Sequence, residues 1–495
     1  MNSLIILMTT TVTASDNGKY VCLKSVASET ELGLSKAVMN GLRRTMILYV
    51  DCYGFTDLLD QDDYEFLSSI GIANLKPTRD RHTVLAEGTR FSIPSLADRC
   101  SRVPIYTSDE TKPLLETTDT RKVFFMVHER DDAELSRLGA DDEAVSDLQN
   151  KLIPKPMVNN STVIKTIYIR DFDPVVYNYN DESETWEYSV SDSDTVRDAM
   201  ETIFPYNVPV VLLEFQSSVH IILKPTLGNG YENSRWTPCT NRYRFETDPA
   251  WRAIPSGVRD EQRPYTMVRK VKGYPCFKDR CLSYPPQLAG GQYQPDTLLT
   301  RYNKLGQPYG IDLVIQYNGK MSALNATQAA LDTLTTGITT FQSEYNSTGV
   351  ETGDDEGEAV VIHKKLNMAG REQQLSIPRN TEDDLDSRYT ILTDDTVANI
   401  IVTKLNELLL RIIGDKYEWL TASSYKKPHP LIKQCLYFIA LPLSNPDGSE
   451  NAAFIERLVE VIPEAKDDKK YHHHYVNKAV RAALDDLQKV RDAMP

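Results

Sequence analysis

Gly33-Leu34-Ser35-Lys36-Ala37-Val38-Met39-Asn40-Gly41-Leu42-Arg43-Arg44-Thr45-Met46-Ile47-Leu48-Tyr49 reads as a helix with one apolar face. Leu34, Val38, Leu42, Met46 and Tyr49 fall at spacings of three and four, which stacks them into a single stripe. Such a stripe has to be covered by a second surface. Upstream, Lys19 to Val26 is a short extended run carrying Tyr20, Cys22 and Leu23, and polar Ser28 to Glu31 leads from it into the helix. A matching group lies far downstream: a strand at Ile311 to Tyr317, a turn at Asn318-Gly319, and a helix from about Asn325 to Tyr345. Ala330, Leu334, Ile338, Phe341 and Tyr345 form that helix's stripe, with Asn325 or Ser322 as its candidate cap.

The closing part of the chain repeats this layout on a smaller scale. A strand is expected around Tyr389 to Thr393, then a helix on which Val397, Ile400, Ile401, Leu405, Leu408, Leu409 and Ile412 line one side, ended by Gly414. The run Lys433 to Leu441 is nearly all apolar, as in a strand buried on both faces. After a polar loop, Val476, Ala479, Val480, Ala483, Leu487 and Val490 stripe a last helix. Between the two helices of the opening part, strand-like runs at Val123 to Val127, Val163 to Ile169, Val210 to Phe215 and Val219 to Leu223 predict a mainly β insert. The expected division is 1–55 plus 305–346 as one module, 56–304 as the insert, 347–386 as an acidic linker, and 387–495 as a second module. Val360 to Ile362, inside that linker, has the composition of a strand.

Composition fits ordinary globular protein: 495 residues, 41% apolar and 25% charged. A formal net charge of -15 opposes binding to a phosphate backbone, which is driven by Lys and Arg releasing counterions, so direct nucleic-acid contact is not expected. Seven scattered cysteines (Cys22, Cys52, Cys100, Cys239, Cys276, Cys281, Cys435) are an odd number in a chain too large to need a disulfide frame, which points to a reducing, intracellular compartment. Leu4 to Met8 is apolar but too short for a membrane span and lacks a basic flank, so it reads as an edge strand and no membrane association is expected. The Asn-x-Ser/Thr matches at Asn159, Asn160, Asn325 and Asn346 carry no weight without secretion.

Several of these segments share a likeness. Asn40 to Leu48 resembles the helix motif of the bacterial RNA polymerase alpha subunit and of the third subunit of eukaryotic RNA polymerase II (archaeal D). Asp395-Thr396-Val397-Ala398-Asn399, with Pro428-His429-Pro430-Leu431 and the terminal helix, resembles the eleventh subunit (archaeal L). Ser95-Leu96-Ala97-Asp98-Arg99-Cys100-Ser101-Arg102-Val103-Pro104-Ile105 is similar to the segment after the family's first helix. Gly230 to Pro238 with Trp236, then Tyr243-Arg244-Phe245 and Asp248-Pro249, is similar to the third subunit's inserted domain. Two departures stand out. The family's proline after the first helix is replaced by Val50-Asp51-Cys52, and no four cysteines take zinc-site spacing, Cys276 and Cys281 being a pair without partners, so no zinc or other cofactor is expected.

The resemblance implies an α+β chain in which two alpha-subunit-like dimerisation modules pack through a four-helix interface, a pseudo-dimer within one polypeptide. Leu34, Val38, Leu42, Met46, Leu334, Ile338, Phe341, Ile401, Leu405, Leu408, Ala483, Leu487 and Val490 would supply its internal pairing. A linker of about 40 residues has a root-mean-square span of roughly 35 Å, which keeps the modules at an effective concentration on the order of millimolar. The implied role is non-catalytic: an assembly platform that docks the second-largest and then the largest subunit of a DNA-dependent RNA polymerase, with small polymerase subunits alongside. Asn40, Arg43, Arg44 and Arg99 are the implied subunit contacts, and Asn399 occupies the point equivalent to Asn40 in its own motif. On residue grounds alone Arg43 and Arg44 are a solvated pair, about 100° apart on the helix. Fusion of the two subunits resembles the arrangement in large DNA viruses such as poxviruses and African swine fever-like or Marseille-like viruses, which implies a virion or host cytoplasm, with the nucleus as an alternative.

Catalytic signatures are weak. Gly353-Asp354-Asp355 lies in an acidic run, and Asp171-Phe172-Asp173 is followed by Pro174, so neither supplies the converging carboxylates of a magnesium site. His472-His473-His474 are adjacent, point in different directions and read as solvent-facing. No Gly-x-Ser-x-Gly, phosphate loop, dinucleotide fingerprint or His-Glu-x-x-His occurs. The alternatives are a scaffold unrelated to transcription, or an enzyme with an unrecognised active site.

Overall fold

The computed structural model describes residues 9–14, 18–26, 34–70, 84–127, 156–245, 267–271, 274–277, 310–347, 366–368, 371–373, 386–391, 394–414, 423–427, 435–443, 449–468 and 470–495. Within them the chain is α+β with antiparallel sheets. The longer helices are α1 (Lys36–Leu48), α2 (Gln61–Ser69), α3 (Ile93–Ser101), α4 (Val190–Asp198), α5 (Ala323–Ser347), α6 (Asp395–Ile413), α7 (Ala452–Val461) and α8 (Tyr471–Asp492). No helix among the described residues is long and apolar enough to cross a membrane. Two compact units emerge: Met1–Thr45, Asn241–Ile315 and Thr327–Pro495 form the first, and Met46–Thr240 with Gln316–Ala326 the second. Leu4 to Met8, the acidic runs, Val360 to Ile362, Asp248-Pro249, Cys281 and the Pro428-His429-Pro430-Leu431 quartet lie outside the described residues.

In the first unit, strands Thr9–Ala14, Tyr20–Val26, Gly310–Tyr317 and Cys239–Phe245 form a sheet in that order. Val21, Leu23 and Ser25 alternate inward along the second strand. The Ser25 hydroxyl accepts from Leu34 N at 3.0 Å and the Ser35 hydroxyl from Val38 N at 3.2 Å, which ties the start of α1 to the sheet. Ser322, rather than Asn325, caps α5, accepting from Asn325 N at 3.1 Å. Asp394 caps α6 through Thr396 N at 2.6 Å and Val397 N at 3.0 Å, and Gly414 closes it at φ +56°, a conformation that favours glycine. Asp386–Ile391, Cys435–Ala440 and Ser424–Lys426 build a second, three-stranded sheet.

Sequence separation does not keep the stripes apart in this unit. A Cβ added to Gly41 on α1 would lie 2.6 Å from Ile400 Cδ1 on α6, and one added to Gly337 on α5 would lie 2.9 Å from Val397 Cγ2. Phe341 on α5 meets Tyr437 of the second sheet at 5.1 Å between ring centroids. Gln342 donates to Asn477 Oδ1 at 2.9 Å, and Arg491 to Asp332 at 2.6 Å, linking α5 to α8. Leu34, Val38, Leu42, Leu334, Ile338, Phe341, Ile401, Leu405, Leu408, Ala483, Leu487 and Val490 are all buried. Each full-size aliphatic or aromatic side chain among them contributes about 1.5–3 kcal/mol of transfer free energy.

Two expectations for the closing part need correction. The polar loop before the last helix contains α7, capped by Asn451 Oδ1 on Phe454 N at 3.2 Å; it buries only Phe454 and Leu458, too short a stripe to stand out by periodicity. His472, His473 and His474 are half-buried rather than solvent-facing. Burial pushes the His472 imidazole down to about 4, and the His473 ring stacks on Tyr345.

The second unit is organised by a sheet in the order Val84–Glu87, Ser218–Leu223, Arg121–Val127, Asp173–Asn180 and Thr185–Tyr188, with Met157–Val158 also pairing to Ser218–Leu223. Val123, Phe125 and Val127 enter one core with α3, while Phe124 and Met126 enter another with Phe66 and Leu67 of α2. That double burial explains the continuous apolar run. Val163 and Ile164 precede the strand that begins at Lys165 and are exposed. Met46, at the end of the α1 stripe, is buried and belongs to this unit.

Candidate subunit-docking site

Three of the four expected contact residues stand together on α1. Asn40, one turn before Arg43, accepts from Arg43 Nε at 3.0 Å through its side-chain oxygen. Arg43 also lies over the Tyr243 ring at 5.8 Å, while Asn241 Nδ2 donates to the Arg43 carbonyl at 3.2 Å, so the neighbouring strand grips the helix backbone. Both arginines are half-buried. The fourth residue, Arg99, belongs to the second unit, where it lies 5.3 Å over Phe91 and donates to the Pro209 carbonyl at 3.3 Å.

Arg44 makes the contact that the sequence did not disclose. Its Nη2 meets Asp395 Oδ2 at 2.8 Å, across 351 positions of chain. Lys427 Nζ approaches the other Asp395 oxygen at 3.8 Å. Asp395 sits in the first turn of α6, where a carboxylate is favoured by the free N–H groups and the helix dipole. Tyr425 completes the surroundings: burial and then the Asp395 charge push its phenol above the ordinary range. Asn399, half-buried on α6, has its carbonyl accept from the Thr403 hydroxyl at 2.7 Å.

The Arg44–Asp395 pair is partly exposed, so its strength is modest. In the set R44A, D395A and R44A/D395A, chemical denaturation is expected to give a coupling energy of about 0.5–1 kcal/mol. A coupling indistinguishable from zero would mean that the pair is geometric only.

Deeper in the same unit is a charge cluster that sequence reading also missed. Lys404, 6% exposed, reaches Glu407 at 2.8 Å on α6 and Asp486 at 2.5 Å on α8, and Lys489 reaches Asp486 at 3.1 Å. Nearby, the Tyr475 hydroxyl donates to the Leu405 carbonyl at 2.5 Å. A lysine inside the α6 stripe was the one available signal.

Chemically, the α1 constellation offers guanidinium donors and aromatic faces, suited to holding carboxylates or carbonyls. Elsewhere, burial pushes the Cys52 and Cys100 thiols up to about 12, which leaves them protonated at neutral pH and weak as nucleophiles. Among the described residues, no group of three or more His, Cys, Asp or Glu is placed to hold a metal ion. No protein-family model and no curated protein matches the chain.

Proposed function

We propose that this chain is a non-catalytic assembly platform of a multisubunit DNA-dependent RNA polymerase, combining in one polypeptide the counterparts of the third and eleventh subunits. Its finer architecture, on this reading, is a pair of dimerisation modules meeting through α1, α5, α6 and α8, with a β-rich insert in the first. The observation that carries most weight is the contact of α1 with α6 at Gly41 and Ile400, reinforced by Arg44 and Asp395. It joins the two stretches on which the resemblance rests, and a subunit pair fused into one chain needs such a contact. Asn40, Arg43 and Arg99 are then the residues offered to the second-largest subunit, with Arg44 shared between that contact and the internal pair. A viral source, with the enzyme packaged in a virion or working in host cytoplasm, follows from the fusion alone.

Affinity purification of the tagged full-length chain from its native source, followed by mass identification of its companions, tests this reading. Two very large polymerase subunits are expected, and the R43A/R44A variant is expected to recover about ten-fold less of them. Recovery of unrelated companions, or of the chain alone, overturns the assignment. Unchanged recovery with R43A/R44A removes the arginines from the contact while leaving the platform role standing.

A further inference from the structure

Where α6 and α8 lie side by side, a cleft of about 310 Å³ opens in the first unit. On α6 it is lined by Lys404, Glu407, Leu408 and Arg411, at i, i+3, i+4 and i+7; on α8 the lining runs from Lys478 to Lys489. Ala479 and Ala482 keep the α8 wall low, so the cleft lies between longer side chains. Twelve residues of helix, eleven rises of about 1.5 Å, make it about 16 Å long.

Its charges sort into two layers. Lys404 at the base is neutralised by Glu407 and Asp486, and Lys489 by Asp486. Above them Arg411, Lys478 and Arg481 are exposed, and none has a carboxylate within 4 Å among the described residues. Asp485 is the one exposed acid in the lining, while Glu464 stands in the field of Lys478 and Arg481. A surplus of unpaired cations around a concave site is unexpected in a chain of net charge -15.

We propose that this cleft docks an Asp/Glu-rich segment of a partner protein, with Arg411, Lys478 and Arg481 as its carboxylate-binding residues. An extended chain places same-side carboxylates about 7 Å apart, so two or three of them span the cleft. Arginine and lysine at its rim accept such groups without a fixed register. Nucleic acid is a poorer fit, because three cations release few counterions and the rest of the chain repels phosphate. A membrane surface is flat and would not enter a concave site. This docking site stands independently of the polymerase reading.

The test uses a fluorescein-labelled peptide of six Glu-Ala repeats and the full-length chain, followed by fluorescence anisotropy at low and at moderate salt. Wild-type binding is expected and should weaken as salt rises. R411E/K478E/R481E is expected to lose about ten-fold or more in affinity, and the neutral R411Q/K478Q/R481Q to lose less. K24E/K165E/R242E makes the same change in net charge at exposed positions outside the cleft and should stay within about two-fold of wild type. Melting curves confirm folding of each variant, and the neutral variant decides the matter if the reversed one is unstable. Absence of wild-type binding, or an equal loss in the cleft and control variants, overturns the proposal. Tighter cleft-dependent binding of single-stranded DNA or of anionic phosphatidylserine vesicles overturns the choice of partner.

Discussion

Gly230→Ala is expected to destabilise the second unit by about 3 kcal/mol, near the upper end of what small-to-large changes cost at a close-packed position. A Cβ at this position would overlap the Ile47 carbonyl oxygen and lie 3.0 Å from the Ile47 carbonyl carbon. Backbone cannot rotate away as a side chain can. The close approach has a purpose: the last turn of α1 ends in carbonyls without helical partners, and Tyr231 N–H donates to Leu48 O at 2.9 Å. Around it, Tyr231 stacks on Tyr49 at 6.0 Å and Asn229 Nδ2 donates to Asp51 at 3.1 Å. Alanine therefore separates a whole set of contacts that ends the helix. Denaturation midpoints should fall, and amide exchange should accelerate at Leu48 to Cys52 and Asn229 to Trp236. Exposed Glu232→Ala, two residues away, should stay within about 0.5 kcal/mol. An unchanged midpoint for Gly230→Ala would show that the loop moves freely and does not hold the helix end.

The same loop shows where sequence reading works and where it stops. Periodicity located α1, α5, α6 and α8 to within three residues at most ends, because each stripe is long and its apolar residues are buried, half-buried Tyr49 excepted. It could not place Gly230 against Ile47, since nothing local distinguishes a glycine needed for close approach from one in a turn. Replacement of the expected proline by Val50-Asp51-Cys52 left the exit from α1 undefined. In the structure Val50 is buried, Asp51 meets Asn229, and Cys52 opens the strand Cys52–Phe55. Trp236 was legible as a conspicuous residue, but not as a ring lying over Gly54 and Gly228 with its Nε1 donating to Thr226 O at 3.1 Å. α7 was missed because two buried residues make no pattern.

At the candidate docking site the difference is electrostatic. Arg43 and Arg44 were visible as a pair, yet their divergence into one residue bound to Asn40 and Tyr243 and another bound to Asp395 depends on two helices 351 positions apart. Charge complementarity over such a separation has too many possible partners to be assigned from spacing. The apolar set was legible because burial requires only a face; the polar set was not, because an ion pair requires a particular atom.

Lys404→Met is expected to be the most costly single change in the first unit, at about 3–5 kcal/mol near neutral pH. The methionine keeps most of the stem's packing, so the loss measures charge. Glu407, 11% exposed, and Asp486, 6% exposed, would lose the ammonium they share, while Lys489 stays beside Asp486. Removing the carboxylates together with the lysine should recover most of the loss, because a buried ion pair replaced by apolar groups is often neutral: K404M/E407L/D486L is expected near wild type. The pH dependence follows from the lysine. Burial pulls its ammonium down, but Glu407 and then Asp486 outweigh that, and the folded-state pKa lies above the ordinary lysine value. A folded value above the unfolded one means that the stabilisation is fully present below about pH 10.5 and is lost as pH rises through the folded value. The stability gap between wild type and Lys404→Met should therefore be level from neutral pH to about 10 and narrow above it. Urea denaturation of both proteins across this range reads the gap directly. A gap below about 1 kcal/mol at neutral pH, or one that widens in alkali, would show that the cluster is solvated and that α6 and α8 are held by their apolar faces alone.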